Sequence, residues 1–185
     1  MNPQVLGACQ QIAAGVMSNV TADQLENATP CANWNVGQLI DHMVGAQHWG
    51  RSAMEGVEAT ENGEGSHQGD WQALFASASQ ACLDSFCADG AMEKTVNPGF
   101  GDMPAAGMLG LVMNDTFQHA WDLAKATGQD TNLAPEMAQQ ILAASQQMIQ
   151  PAFRSEEGAI FGMEKQAPEG ASAADQLAAF LGRDV

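Results

Sequence analysis

Three residues of this sequence could together hold a divalent cation: His42, Asp115 and His119. Residues four apart on an α-helix stand one turn apart on the same face, so Asp115 and His119 can close on one ion. His42 belongs to another amphipathic stretch and shares its face with Leu39, Ala46 and Trp49. That placement points the imidazole into the fold rather than at water. Two imidazoles and one carboxylate suit Zn²⁺ best, with Ni²⁺ or Fe²⁺ as alternatives, and leave positions open for water or substrate, as a catalytic site requires. Asp122 lies three residues beyond His119 on nearly the same face. It can replace Asp115 as ligand or orient His119 from behind. His48 is six positions beyond His42 and therefore turns to a different face.

The elements that must position these residues follow from hydrophobic periodicity. A first helix runs from Pro3 to about Val20, and Pro30 makes 22–35 an ordered loop. Asn35 is an N-cap for a second helix, Val36 to about Glu55, with His42 in its middle. The polar, glycine-bearing stretch from Gly56 to Gly69 reads as a mobile connection containing His67. Asp70 caps a third helix to about Ala88, with Trp71, Leu74, Phe75, Ala78, Cys82 and Phe86 as its buried stripe. Residues 95–104 are too rich in Gly and Pro for a helix and are expected to line something. A fourth helix runs from Pro104 to Gly128 and carries Asp115 and His119. Pro135 opens a fifth helix ending near Pro151. Ala159, Ile160 and Phe161 suit either a short strand or a packed loop. Ser172 followed by Asp175 caps a last helix through Leu181. Short connections and almost no β alternation predict an all-α domain built around a four-helix bundle with additional short helices.

Composition narrows the partners. The 185 residues fit one domain, taken as 1–185. Asp and Glu number 22 against 6 Lys and Arg, a formal charge of −16 that repels nucleic acid and anionic lipid. An anionic small substrate would depend on locally positive charge, above all the metal ion. Met1-Asn2-Pro3-Gln4 has neither the basic start nor the apolar core of a signal peptide, and no apolar run reaches membrane-spanning length, so a cytoplasmic protein is expected. Cys9, Cys31, Cys82 and Cys87 show no CxxC spacing and read as reduced, mostly buried thiols. Cys31 has no cation beside it in sequence and is expected to pack, although it stands at the mouth of the metal helix. Trp34, Trp49, Trp71 and Trp121 are expected in the core or the pocket wall. Arg154 could serve an anionic ligand, but a surface ion pair is its expected fate.

Three runs carry a family resemblance: Thr29 to His42 (TPCANWNVGQLIDH), Asp115 to Gly128 (DTFQHAWDLAKATG) and Ala171 to Asp184 (ASAADQLAAFLGRD). Together they resemble the mycothiol-dependent maleylpyruvate isomerase N-terminal family of the DinB-like superfamily. The resemblance implies a DinB-like four-helix bundle with a divalent metal held by a His on the second helix and an acid-x-x-x-His pair later on, here His42, Asp115 and His119. Asp115 stands where the best-known isomerases carry a glutamate, one methylene longer. The full isomerases add a C-terminal domain that this chain is expected to lack, so the similarity is closer to the single-domain metal-binding members. The implied function is a metal- and thiol-dependent transferase or isomerase acting on a small electrophile, with a mycothiol-type thiol activated at the metal. A metal-dependent hydrolase and a metal-binding module without chemistry are the alternatives, and the sequence leaves a homodimer open.

Overall fold

The computed structural model describes residues 2–155 and 161–185. Among the described residues six α-helices carry the fold: α1 (Gln4–Met17), α2 (Val36–Glu55), α3 (Trp71–Cys87), α4 (Ala105–Ala126), α5 (Pro135–Met148) and α6 (Ala173–Phe180). Helices α1 to α4 form the bundle, in which α2 packs on α3 and α4 while α1 packs on the same two from the other side. Helices α5 and α6 pair with each other, and α6 also touches α4. The all-α domain built around a four-helix bundle that periodicity predicts is the observed architecture, consistent with the DinB-like bundle that the resemblance implies. Among the described residues, no helix is long and apolar enough to cross a membrane.

The helix starts are set by side chains that satisfy the free N–H groups of a first turn. Asn35 accepts from the Gln38 amide at 2.9 Å while the Gln38 side chain accepts from the Asn35 amide at 3.0 Å, a reciprocal capping box. Asp70 accepts from the Ala73 amide at the start of α3, and Ser172 from the Asp175 amide at the start of α6. Gly56 ends α2 in the left-handed conformation (φ 70°), which costs glycine nothing.

Two buried apolar clusters weld the bundle. One joins α1, α3, α4 and α6 around Leu6, Phe86, Phe117 and Trp121. The other joins α1 to α4 around Leu39, Ile40, Met43, Phe75 and Leu123. Between them runs a buried polar relay that ties four helices together. Gln10 donates to Gln47 at 2.8 Å and to the Ser79 carbonyl at 3.0 Å, and Gln47 donates to Thr116 at 2.9 Å. It fixes the register of α4 against α2 one residue from Asp115.

Several expectations are corrected. The stretch after α2 is held rather than loose: Asp41 accepts from the backbone amides of Gly65 and His67 at 3.0 and 2.8 Å and pairs with the His67 ring at 2.9 Å. Gly45 and Gly63 allow the two backbones to touch, because a Cβ on Gly45 would sit on the Asn62 carbonyl oxygen. Leu74 faces solvent instead of the core, and Cys87 is exposed. Residues 95–104 form a two-stranded antiparallel hairpin, β1 (Thr95–Val96) and β2 (Met103–Pro104), pairing Thr95 with Pro104. Among the described residues Arg154 pairs with no carboxylate. It donates to the carbonyls of Gly162 and Phe180 at 2.9 and 2.7 Å and lies over the Phe180 ring. Of the segment left open between strand and loop, Ala159 and Ile160 lie outside the described residues, whereas Phe161 bridges to Arg154 in parallel.

Candidate metal centre

Helices α2 and α4 bring His42, Asp115 and His119 together. The Nε2 atoms of His42 and His119 both face Asp115 Oδ1, at 3.1 and 3.4 Å. The two imidazoles meet edge to face with centroids 4.6 Å apart, and the Trp34 ring packs 4.5 Å from that of His42. Donor atoms of all three residues lie within 4.8 Å of one another, close enough for one ion. Asp115 is one methylene shorter than glutamate, and α4 lies near enough to α2 for it to reach both histidines.

Behind His119 stands a second set of groups. Asp122, whose side chain is fully buried, accepts from His119 Nδ1 at 2.9 Å. The Arg183 guanidinium grips the same carboxylate through Nε at 2.9 Å and a terminal nitrogen at 3.0 Å, a bidentate fork. Asp122 also accepts from the Gln118 side-chain amide at 3.2 Å and from the Cys31 thiol at 3.3 Å. Asp122 therefore orients His119, one of the two roles open to it in the sequence. A cation does stand beside Cys31, contrary to expectation: Arg183 donates to its sulfur at 3.5 Å. Arg183 and Cys31 are 152 positions apart, so nothing local in the sequence joins them.

This arrangement fits a cation at His42, Asp115 and His119. A carboxylate can only accept, so the Asp122 contact fixes the His119 proton on Nδ1 and leaves a lone pair on Nε2. That lone pair faces Asp115 Oδ1, another acceptor. Two acceptors face each other comfortably only with a proton or a metal ion between them. The second oxygen of Asp115 is buried and has no hydrogen-bond partner among the described residues, a costly condition that a coordinated ion removes.

Without an ion the position between His119 Nε2 and Asp115 Oδ1 takes a proton, and the titration directions follow from the pairing. Burial alone would push His119 down, but the Asp115 charge and the hydrogen bonds to Asp115, Asp122 and Cys31 outweigh it and hold the imidazole well above its ordinary value. Burial would raise both carboxyls. The charge and hydrogen bonds of His119, with that of His42, hold Asp115 far below the usual range, while His119 and Arg183 bring Asp122 to about 2.

Cys31, His119 and Asp122 form a second set of potential donors, also within 4.8 Å. Arg183 already bonds to two of them, so a cation there would meet a fixed positive charge and would have to displace the fork. The front set meets no such charge, and electrostatics favours it.

Asp115 and His119 open into a cleft of about 250 Å³ walled by Trp49, Phe100, Leu111, Gln118, Phe161 and Arg183. The glycine-rich hairpin thus does line something. Trp49 donates to the Pro98 carbonyl at 2.9 Å and stacks on Phe100, which pins the hairpin tip over the opening. His48 and His67 are committed elsewhere, to Glu61 and Asp41. Trp121 is fully buried in the core and Trp49 stands in the cleft wall.

The chain is 40% identical over 177 residues to two uncharacterized proteins of Mycobacterium tuberculosis, Rv0738 of strain H37Rv and MT0763 of strain CDC 1551, a match spanning 95% of this chain and 94% of each of theirs. No solved structure matches. The family model described as the mycothiol maleylpyruvate isomerase N-terminal domain matches residues 6–124, a span that contains Cys31, His42, Asp115, His119 and Asp122 and stops short of Arg183. The chain belongs to the mycothiol maleylpyruvate isomerase N-terminal domain family.

Proposed function

We propose that His42, Asp115 and His119 hold a divalent cation, with Zn²⁺ best suited to the donor set, and that the chain uses it to transfer or isomerise a small electrophile with a low-molecular-weight thiol such as mycothiol. The observation that carries this reading is the pair of imidazole Nε2 atoms converging on one carboxylate whose other oxygen is buried and unpartnered. When bound, the cation supplies Lewis acidity that deprotonates a coordinating thiol at neutral pH.

The surrounding residues each have a task. Asp122 keeps the His119 proton on Nδ1, so that Nε2 stays a donor to the ion. Arg183 braces Asp122 and lines the cleft, where it adds fixed positive charge to a chain of net charge −16. Trp49 and Phe100 line the cleft with apolar surface, and Trp34 packs on the His42 ring. We take 1–185 as one functional unit acting in the cytoplasm, where free thiols such as Cys9 and Cys82 stay reduced.

The test is thiol consumption. Metal-loaded protein is incubated with mycothiol or bacillithiol and a panel of small electrophiles. The reading expects loss of free thiol that needs the metal and disappears in His119→Ala. Metal binding without thiol loss across the panel would leave a metal-binding module and overturn the catalytic reading.

A further inference from the structure

A second cavity adjoins the metal cleft and has a different character. It lies between α4 and α5, has a volume of about 170 Å³, and is walled by Val5, Gly110, Met113, Met137, Ile141 and Met148. Among its polar lining groups, Asn114 donates to Ser145 at 2.6 Å, so these two satisfy each other. The cavity neighbours the metal cleft, with Leu111, Asn114 and Phe161 lining both. A cavity of about 150 Å³ lined by apolar side chains accommodates benzene, so this one is sized for about six carbons. Three methionines make its wall adjustable in shape. Gly110 keeps it open: a Cβ there would meet only the end of Met148, at 3.6 Å, so a longer side chain would grow into the cavity.

We propose that this cavity binds an apolar arm of the reactant, an aryl or alkyl group of about six carbons whose reactive end lies at the metal centre beyond Asn114. The inference rests on the cation-centred reading above and deepens it, by giving the substrate class as a small molecule with a polar reacting head and a compact apolar tail. The cavity is concave and takes a tail of that size, too small for a helix or a strand of a partner protein.

Two arms test it separately. In the first, metal-free protein labelled with ¹³C at the methionine methyls is titrated with 1-hexanol. Selective shifts of Met113, Met137 and Met148 are expected, and they should vanish in Gly110→Leu, or in Ala144→Leu on the opposite wall if that variant fails to fold. No selective shift, or shifts that survive in a folded plugged variant, overturns the proposal. In the second, zinc-loaded protein is titrated with n-alkanethiols from two to eight carbons. Affinity should rise about fourfold per methylene up to about six carbons and then level, with the dependence flattened by the plug. A flat series in the wild type overturns the link between cavity and metal cleft. Failure of every thiol to bind, with the hexanol shifts intact, would instead count against the cation-centred reading. Dimerisation on concentration that Gly110→Leu abolishes would give the cavity to a second copy of the chain and overturn the proposal.

Discussion

Replacing Asp122 by asparagine tests how His119 is held. Both Asp122 oxygens are committed to donors: Oδ1 to Arg183 Nε and Gln118, Oδ2 to His119 Nδ1, the Arg183 terminal nitrogen and the Cys31 thiol. An asparagine must turn its NH₂ toward one of these groups, donor against donor, and it also removes the charge opposite Arg183. Breaking a buried pair by deleting one partner costs about 3–5 kcal/mol. The Arg183 side chain keeps 20% exposure, so water returns part of that, and about 2–3 kcal/mol is expected. For a chain of this length that lowers Tm by roughly 4–12 °C. Loss of the group that orients a metal-binding histidine weakens the metal by about 10–100-fold. Scanning calorimetry reads the first quantity and competition titration against a zinc chelator the second. A folded Asp122→Asn protein that binds Zn²⁺ within twofold of wild type would refute the claim that Asp122 sets the His119 tautomer.

Further expectations follow from the same geometry. His119→Ala should abolish stoichiometric divalent-metal binding while far-UV circular dichroism keeps its helical signal, because the apolar clusters fold the bundle without metal; unfolding of the wild type on chelation would contradict this. In chelator-stripped protein, the raised His119 value contributes stability that is fully present below about pH 6.5 and lost as pH rises through the raised folded value. The depressed Asp115 and Asp122 values contribute stability present above about pH 4 and lost as pH falls toward 2. Urea midpoints should therefore peak between those limits, and a midpoint that climbs steadily to pH 9 would contradict the pairing. Gly45→Ala should cost about 1–3 kcal/mol by forcing the Gly63 backbone off α2, seen as a lowered Tm and faster amide exchange at Gly65 and His67.

Much of this was legible locally. The Asn35, Asp70 and Ser172 caps, the bounds of α2 and the i, i+4 spacing of Asp115 and His119 are short-range signals, and the structure follows them. The expectation that His42 faces inward also came from a repeat within one helix. What escaped reading depends on contacts between distant segments. Arg183 reaches Asp122 across 61 residues and Cys31 across 152, and no spacing rule links such positions. The stretch after α2 looked loose because its composition is polar, yet Asp41 supplies three contacts and Gly45 and Gly63 permit backbone approach, neither of which composition can show. Leu74 fits the helical period but lands at the edge of the α3 stripe, where the neighbouring helices no longer cover it.

X-ray absorption at the zinc edge of protein loaded with one equivalent of Zn²⁺ tests the central claim most directly, since it separates the two donor sets around His119. The front set predicts only nitrogen and oxygen neighbours, at about 2.0–2.2 Å, with imidazole scattering from two rings. A sulfur neighbour at about 2.3 Å would place the ion on Cys31, His119 and Asp122 instead and contradict the assignment of His42 and Asp115.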